Sequence, residues 1–309
     1  LAIFQKDLWP KQIVVNGSVL MDGKKMSKSF GNIIPLRKAI HEYGTDPVRL
    51  GILATAELLQ DADFTISLVT TFNERLNKLY DLACTVEHAD EIDYNMITSV
   101  DEWFLSRIQR NIINATNSMQ KLRFREAIHA IIYIFDQDTQ WYIRRTMHDY
   151  NPSIMKHVLK LRTKLLSPFA PFICEELWEK IGSGEMIVQE TWPVVDNDLL
   201  SPKSEELESL LVQILNDIHK IIKVTKMKPS VIYLYSASKW KWDLYLQILD
   251  LINNDSFNMK SLLDDTFQDD SLKSNAKIIS EYVQKSYLDL KNTSSDIITN
   301  KLKIGILDE

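Results

Sequence analysis

The sequence GKKMSKSFGN, at residues 23–32, lies between a short apolar run and a segment with helical periodicity. It places three lysines and two serines between two glycines. Lysine ammonium groups and serine hydroxyls are suitable donors to phosphate oxygens, and glycine lets the backbone approach a ligand closely. The sequence therefore predicts a polyphosphate-binding loop, with a solvated basic loop or a localisation patch as the alternative.

The segments around this loop predict two short strands before it and helices after it. Apolar runs at residues 13–15 and 19–21 bracket Asn16-Gly17, a pair typical of a β-hairpin turn. From residue 35 the apolar spacing becomes helical and ends near Gly44. Thr45 is then predicted to cap a second helix that carries Pro47 in its first turn.

Long amphipathic patterns dominate the middle of the chain. Apolar spacing predicts helices over residues 67–88, 99–121, 123–149 and 154–181, with Ser99 capping the second. Pro168 and Pro171 must interrupt the last of these, since each proline removes a helix donor. Four such helices joined by short breaks predict an up-and-down bundle.

The last hundred residues have a different character and predict a small α/β module. Helices are expected at residues 204–226, 239–252 and 276–290, and strands at 231–235 and 302–307. The linker before this module is predicted at residues 194–202. The fold class is therefore mainly α, with a short strand-containing start and a small α/β end.

Composition narrows the class of protein. The 309 residues are 25% charged and 45% hydrophobic, which is typical of a globular chain of two or three domains. No apolar run reaches the roughly 18 residues of a membrane span. The two cysteines, Cys84 and Cys174, are too few for a disulfide framework, and no metal-ligand spacing occurs, so we expect no bound metal and no zinc.

The net charge of −6 argues against a nucleic-acid partner, but the distribution of charge does not. Residues 1–60 carry 8 Lys and Arg against 5 Asp and Glu. Six lysines and no acid lie between Asp217 and Asp243. The basic character is therefore local, at the phosphate-loop end and in the last module.

The loop contains a string that identifies a family. Lys25, Met26, Ser27, Lys28 and Ser29, followed by Gly-Asn, resemble the second signature of class I aminoacyl-tRNA synthetases. The resemblance implies a mobile loop that closes on ATP and its Mg²⁺ while an amino-acid carboxylate attacks the α-phosphate. Charge then builds on the leaving pyrophosphate, where positioned cations are useful. The implied roles are electrostatic for Lys28 and Lys25, hydrogen bonding for Ser27 and Ser29, and adenine packing for Met26.

Other segments extend the resemblance over residues 1–193. Residues 44–49 resemble the family's connector, in which we expect Asp46 and Arg49 to be structural. Asp61 and Asp63 at the same junction are expected to cap the next helix rather than bind a metal. Residues 141–145 and 166–178 look like the helical anticodon-binding-type domain of the leucine, isoleucine, valine and methionine enzymes.

Within that group, residues 8–10 and 15–19 look most like leucyl-tRNA synthetases of the archaeal and eukaryotic cytosolic type. The implied partners are tRNA(Leu), leucine and ATP, in a cytoplasmic monomer. The expected domains are residues 1–62, the end of a Rossmann-type catalytic domain; 63–193, the helical bundle; and 203–309, a tRNA-binding module that we expect to be truncated. The isoleucyl, valyl and methionyl enzymes are alternatives, as is a tRNA-binding scaffold without catalysis.

The family's first signature, His-x-Gly-His, is missing from the sequence. We therefore expect a C-terminal piece of a longer enzyme that does not activate leucine alone. Its expected tRNA contacts are Arg144 and Arg145 on the bundle, together with Arg123 and Arg125. In the last module they are the lysines nearest the end of its first predicted helix, Lys220, Lys223 and Lys226.

Overall fold

The computed structural model describes residues 5–6, 9–10, 17–57, 60–182 and 184–291. The chain divides into two compact units, Leu1–Ser204 and Glu205–Glu309. Most of the described residues are helical, as the sequence predicts. No helix among them has the length and apolar content that crossing a membrane requires.

The helices and strands are numbered in chain order. The α-helices are α1 Leu36–Tyr43, α2 Thr45–Leu53, α3 Ile66–Thr85, α4 Ser99–Gln120, α5 Phe124–Ile128, α6 Phe135–Arg145, α7 Pro152–Leu166, α8 Pro171–Ile181, α9 Pro202–Thr225, α10 Lys239–Asn253, α11 Met259–Thr266, α12 Asp270–Lys273 and α13 Ala276–Lys291. A π-helix, His129–Ile134, joins α5 to α6. The strands are β1 Val19–Met21, β2 Lys24–Lys25 and β3 Ala62–Phe64.

The three strands form a small sheet in the order β2-β1-β3. β1 pairs antiparallel with β2, with Leu20 opposite Lys25, and parallel with β3, with Leu20 opposite Asp63. A small apolar cluster joins this sheet to α1, α2 and α3. Its buried members are Met21, Ala39, Val48, Phe64 and Val69.

The described residues contain a hairpin turn at Asp22-Gly23, between β1 and β2, while the predicted turn at Asn16-Gly17 begins outside the described residues. Both turn residues have positive φ, 50° for Asp22 and 73° for Gly23. Positive φ at both central positions is the conformation of a two-residue type I′ turn, for which Asp-Gly is a favoured pair. Residues 13–15, the predicted partner strand, lie outside the described residues.

The helices from α3 to α8 share one large apolar core, as the predicted bundle requires. Its largest fully buried side chains include Phe72, Phe104, Phe135 and Tyr142. The rings of Phe104 and Tyr142 stack with centroids 4.2 Å apart. The Tyr142 hydroxyl donates a hydrogen bond to the Asp101 carboxylate, so the polar end of this buried ring is satisfied.

Two predicted helix caps are wrong by one residue. α4 is capped by Thr98 rather than Ser99: Thr98 Oγ1 accepts from Asp101 N at 3.3 Å, and Asp101 Oδ2 accepts from Thr98 N at 2.8 Å. This reciprocal pair is a capping box, which satisfies two backbone donors together. Thr45 is the first residue of α2, and the cap position belongs to Gly44.

The third predicted helix, over residues 123–149, is not a single α-helix. The π-helix interrupts it, and α6 ends at Arg145. A single π-turn changes the spacing of apolar residues only slightly, so the helical periodicity of the sequence does not reveal it. The predicted break at Pro168 and Pro171 is confirmed, since α7 ends at Leu166 and α8 begins at Pro171.

In the second unit, α10, α11 and α13 enclose a separate core. It is built on Leu244, Ile248, Leu249, Leu262, Ile279, Val283 and Leu290. The strand predicted at residues 231–235 does not form, and those side chains are exposed. Among the described residues, the sheet contains no strand from this unit. Alternation of apolar residues was therefore not sufficient to form a strand at residues 231–235. The last predicted strand, residues 302–307, lies outside the described residues.

Candidate functional site

The basic loop that the sequence singled out follows the β1–β2 hairpin. Its first lysines, Lys24 and Lys25, form β2, and Lys28 lies in the turn that follows. The backbone N–H of Gly23 donates to Asp63 Oδ1 at 2.8 Å. The Ser18 N–H donates to Asp61 Oδ1 at 2.6 Å. Both carboxylates therefore fix the hairpin that presents the loop.

Asp61 and Asp63 were expected to cap the following helix, and that expectation is wrong. The cap position of α3 is Thr65, and no side chain accepts a hydrogen bond there. β3 lies beside β1, so its carboxylates reach the backbone donors of the hairpin instead. These partners are separated in the sequence by 43 and 40 residues, so local patterns could not reveal them.

Asn32 closes the loop on itself. Its Oδ1 accepts a hydrogen bond from Ser27 N at 2.9 Å, and its Nδ2 donates to the Lys25 carbonyl at 3.2 Å. The hydroxyls of Ser27 and Ser29 lie 2.6 Å apart. The residues of the signature are thus drawn into one compact turn, and Asn32 holds the end of that turn against its start.

The two candidate catalytic lysines, Lys25 and Lys28, are exposed. Within the described part of the chain neither forms an ion pair, so both ammonium groups are available to a ligand. Ser29 is also exposed, while Ser27 and Met26 are half-buried. Met26 packs against the small apolar cluster beneath the sheet, which anchors the middle of the loop to the protein. Adenine packing by Met26 stays a prediction.

The connector helix α2 is bonded to the bundle through the side chains of Asp46 and Arg49, which we call the connector clamp. Asp46, only 4% exposed, accepts a hydrogen bond from Ile173 N in the first turn of α8 at 2.7 Å. Arg49 donates to the carbonyls of Phe169 at 2.9 Å and Pro168 at 3.0 Å. The Asp46 carboxylate thus accepts a hydrogen bond at the N-terminus of α8, where a negative charge is favourable. The Arg49 guanidinium donates to carbonyls of the turn after α7.

Burial raises the pKa of Asp46, and this effect outweighs the N–H groups of Ile173 and Phe172 and the charge of Arg49, which all lower it. Asp46 Oδ1 is buried without a partner among the described residues. The clamp is therefore a desolvated structural contact between the loop-bearing segment and the bundle. It agrees with the structural roles expected for Asp46 and Arg49.

Two of the expected RNA contacts on the bundle lie in the last turn of α6, and the other two lie at the start of α5. Arg144 is exposed, with its guanidinium carbon 5.7 Å from the centroid of the Trp141 ring, and Arg145 is half-buried. Arg123, at the start of α5, lies 3.4 Å from the Glu126 carboxylate. Arg125 is exposed on the same helix.

The expected contacts in the second unit lie at the end of α9. Lys220, Lys223 and Lys226 are exposed and follow one another at three-residue intervals. Such spacing places Lys220 and Lys223 near one face of α9, and Lys226 directly follows Thr225, the last residue of that helix. Lys220 also lies 3.1 Å from Asp217. These lysines form a local basic surface on an acidic chain.

Sequence reasoning missed a polar network beneath the π-helix. The buried Arg162 donates to the carbonyls of Ile131 at 3.1 Å and Ile132 at 3.3 Å. It also binds Asp136 at 2.7 Å, and Asp136 pairs with Arg75. Arg75 in turn lies 4.5 Å from the centroid of the Tyr133 ring. Only the chemistry of an arginine in an apolar helix could have signalled this network.

Among the described residues, no group of three or more His, Cys, Asp and Glu side chains could hold a metal ion. The polar groups that the structure gathers near the signature are lysines, serines and Asn32. These are donors suited to the phosphates of a nucleotide.

Comparisons with known families support the interpretation of both segments. Residues 4–85 match the family of class I tRNA synthetases of the methionine type. Residues 101–234 match the family described as the anticodon-binding domain of tRNA ligase. The first match contains the loop and the connector clamp, and the second contains the bundle from α4 onward.

Curated relatives cover the chain almost completely. The leucine–tRNA ligase of Methanothrix thermoacetophila is 35% identical over 99% of the chain and 32% of its own length. That of Methanosarcina acetivorans is 32% identical over 100% of the chain and 32% of its own length. The chain thus spans about a third of the length of these relatives.

A solved structure shares part of the fold. It is a ternary complex of the Agrobacterium radiobacter K84 leucyl-tRNA synthetase AgnB2 with tRNA and LeuAMS. The similarity has a TM-score of 0.52 and 26% identity, over 60% of this chain and 24% of that one.

Proposed function

The chain belongs to the leucyl-tRNA synthetase family, and from this premise we propose that it supplies the ATP-closing loop and the tRNA-binding surfaces of a leucine–tRNA ligase. The ligase activates leucine with ATP to form leucyl-adenylate and then transfers leucine to tRNA(Leu). The observation that carries the proposal is the signature loop, with Lys25 and Lys28 exposed on a turn closed by Asn32.

The proposed chemistry of the loop is electrostatic. When the leucine carboxylate attacks the α-phosphate of ATP, the bond to the leaving pyrophosphate breaks and negative charge collects on its oxygens. Lys28 and Lys25 stabilise that charge, and Ser27 and Ser29 donate hydrogen bonds to the phosphates. Mg²⁺ bound to ATP supplies further positive charge. No side chain of this loop acts as a nucleophile or a base.

The tRNA side of the proposal rests on local basic surfaces. The groups that we propose for phosphates of tRNA(Leu) are Arg144 and Arg145 on the bundle, Lys220 and Lys223 on α9, and Lys226 directly after α9. A monomer in the cytoplasm completes the proposal, on the strength of the family alone. We expect the leucine pocket in parts of the ligase that this chain does not span, since the chain covers about a third of the length of its relatives.

The test of the catalytic role is Lys28→Ala in the ligase that carries this chain, measured by leucine-dependent ATP–pyrophosphate exchange. Removing one preorganised charge from a transition state costs about 10²- to 10³-fold in rate, so we expect kcat to fall by that order. The matched control is Lys24→Ala, which removes an exposed lysine of the same loop and should cost less than about threefold.

Full exchange activity of the Lys28→Ala ligase contradicts the proposed role. Equal losses of activity in Lys28→Ala and Lys24→Ala would mean that the lysines act through the overall positive charge of the loop and not through a specific contact of Lys28. Residues 1–309 alone are expected to show no exchange, and activity of that chain would mean that the leucine site lies within it.

A further inference from the structure

The strongest unassigned feature is the surface on both sides of His129, at the start of the π-helix. Two grooves adjoin here, and both are lined by Glu126 and His129. Their volumes are about 390 Å³ and 520 Å³. These sizes lie in the range of ligand-binding clefts.

The first groove has the chemistry of a phosphate and ribose site. Its polar walls are Asn114, Asn117, Ser118, Lys121 and Arg123. Amide, hydroxyl and cationic donors are the groups that bind phosphate and ribose oxygens in RNA complexes. The Glu126 carboxylate lies 3.4 Å from Arg123 and offsets part of its charge, which leaves Lys121 as the principal cation.

The second groove has the chemistry of a base site. It is lined by Ala54, Leu68 and Ile128, by the Tyr133 ring and by Arg125. Apolar and aromatic walls accept the flat face of a base, while the 2′-hydroxyl and phosphates lie in polar surroundings. The two grooves therefore complement the two halves of one nucleotide.

Glu57 gives the second groove a selective group. It lines the groove, and its Oε2 atom is buried without a hydrogen-bond partner among the described residues. An unpartnered carboxylate oxygen is costly to bury, and it is satisfied by the N–H of an incoming ligand. The exocyclic amino group of cytosine, adenine or guanine supplies such a donor, whereas uracil has no amino group and offers only its ring N3–H.

The aromatic surface between the grooves is held rigidly from below. The His129 ring lies on Tyr133 with centroids 5.5 Å apart and an interplanar angle of 22°. The Tyr133 ring is contacted by Arg75 at 4.5 Å and, edge-on, by Phe72 at 6.2 Å. His129 itself is exposed, so the stack continues outward to any ring that binds there.

The π-helix contributes directly to this surface, because His129 is its first residue. Its wide turn places His129 and Tyr133 beside the grooves, and the buried Arg162 binds the carbonyls of Ile131 and Ile132. A π-turn is uncommon and occurs frequently at functional sites. The network of Arg162, Asp136 and Arg75 fixes its geometry from the core side.

We propose that the two grooves beside His129 form a binding site for one nucleotide of single-stranded or looped RNA, with its base stacked on His129 and its phosphate beside Lys121. This inference rests on the proposed tRNA-binding function and adds a specific subsite to it. The carboxylate of Glu57 selects a base with an exocyclic amino group.

The test is the affinity of the full chain for a tRNA(Leu) transcript, measured by fluorescence anisotropy across a salt series. His129→Ala removes an exposed ring, and stacking on one aromatic side chain contributes about 5- to 100-fold in affinity. We expect a loss of that order from His129→Ala and from Tyr133→Leu. The matched control, His88→Ala, removes an exposed histidine on another part of the bundle and should leave affinity unchanged.

Two further variants separate the parts of the site. Lys121→Ala should reduce the slope of log affinity against log salt by about 1, as loss of one phosphate contact does. With short oligonucleotides as probes, wild type should prefer oligo(C) to oligo(U). Glu57→Ala should abolish that preference.

A Lys220→Ala, Lys223→Ala, Lys226→Ala triple variant makes the outcomes distinguishable. If it weakens binding while His129→Ala and Tyr133→Leu bind as wild type does, the proposed subsite is overturned and tRNA binding stands. If wild type binds no tRNA, the proposed tRNA-binding function fails, and the subsite fails with it. Because His129 is exposed, its variant remains informative even if Tyr133→Leu unfolds.

Discussion

The signature loop and the connector clamp are separated by only a short helix in the sequence, yet opposite physical conditions hold them in place. The loop is exposed, and its shape depends on local hydrogen bonds such as those of Asn32. The clamp is buried, and Asp46 and Arg49 reach backbone groups more than a hundred residues away. The lysines that we propose for ATP are thus left exposed to solvent, while α2 behind them is fixed to the bundle.

Because of this difference, we expect substitutions in the loop and in the clamp to have different effects. Changes in the loop should affect ATP chemistry with little effect on unfolding, because few buried contacts are lost. Changes in the clamp should affect the free energy of unfolding, because they leave buried backbone groups without partners.

The largest effect on stability is expected from Asp46→Ala. It removes the acceptor of the Ile173 N–H and leaves that half-buried donor unpaired, which costs about 2 kcal/mol of unfolding free energy. The measurement is denaturant unfolding of the 309-residue chain at neutral pH. The control is Glu42→Ala, an exposed acid on α1, which should change stability by less than about 0.5 kcal/mol. Equal small effects would show that the clamp does not stabilise the bundle.

The next largest effect is expected from Asn32→Ala in the loop. The variant loses the bonds to Ser27 N and to the Lys25 carbonyl, together about 1 kcal/mol of loop order. In the full ligase this should raise the KM for ATP about fivefold, while the unfolding free energy stays within about 0.5 kcal/mol of wild type. Asn77→Ala, an exposed asparagine on α3, is the control. A large loss of stability with unchanged ATP kinetics would reverse the roles of the two regions.

The same contrast explains which features could be predicted from the sequence. Helices and their interruption at Pro168 and Pro171 follow from local rules, periodicity and the missing proline donor. The signature loop could be identified because its chemistry lies in consecutive residues. The partners of Asp46 and Asp63 could not be predicted, since both are backbone groups brought near by folding. A strand also needs a partner, which is why alternation at residues 231–235 misled.

The wide turn of the π-helix was missed for a related reason. The wide turn is accompanied by hydrogen bonds from Arg162 to the carbonyls of Ile131 and Ile132, about thirty residues earlier in the sequence. These contacts exist only in the packed bundle. The sequence shows an arginine among apolar residues of α7, which signals a buried polar partner without naming it. Functional proposals that depend on this geometry, such as the His129 subsite, therefore came from the structure.

The smallest expected effect is a pH dependence that isolates the charge of Asp46. Burial raises its pKa in the folded chain above the ordinary value of about 3.9. Below that value Asp46 is neutral in both states. As pH rises through it, the unfolded chain ionises first, so unfolding becomes easier until pH passes the folded pKa. Asp46→Asn, which keeps an acceptor for Ile173 N, lacks this step.

The unfolding free energy of wild type minus that of Asp46→Asn should therefore decline as pH rises from about 3.9 and level off above the folded pKa. Urea unfolding of both chains at a series of pH values measures it. A difference that instead grows with pH would show that the folded chain prefers the carboxylate. The helix dipole of α8 and Arg49 would then outweigh desolvation, and the clamp would act through charge rather than through its hydrogen bond.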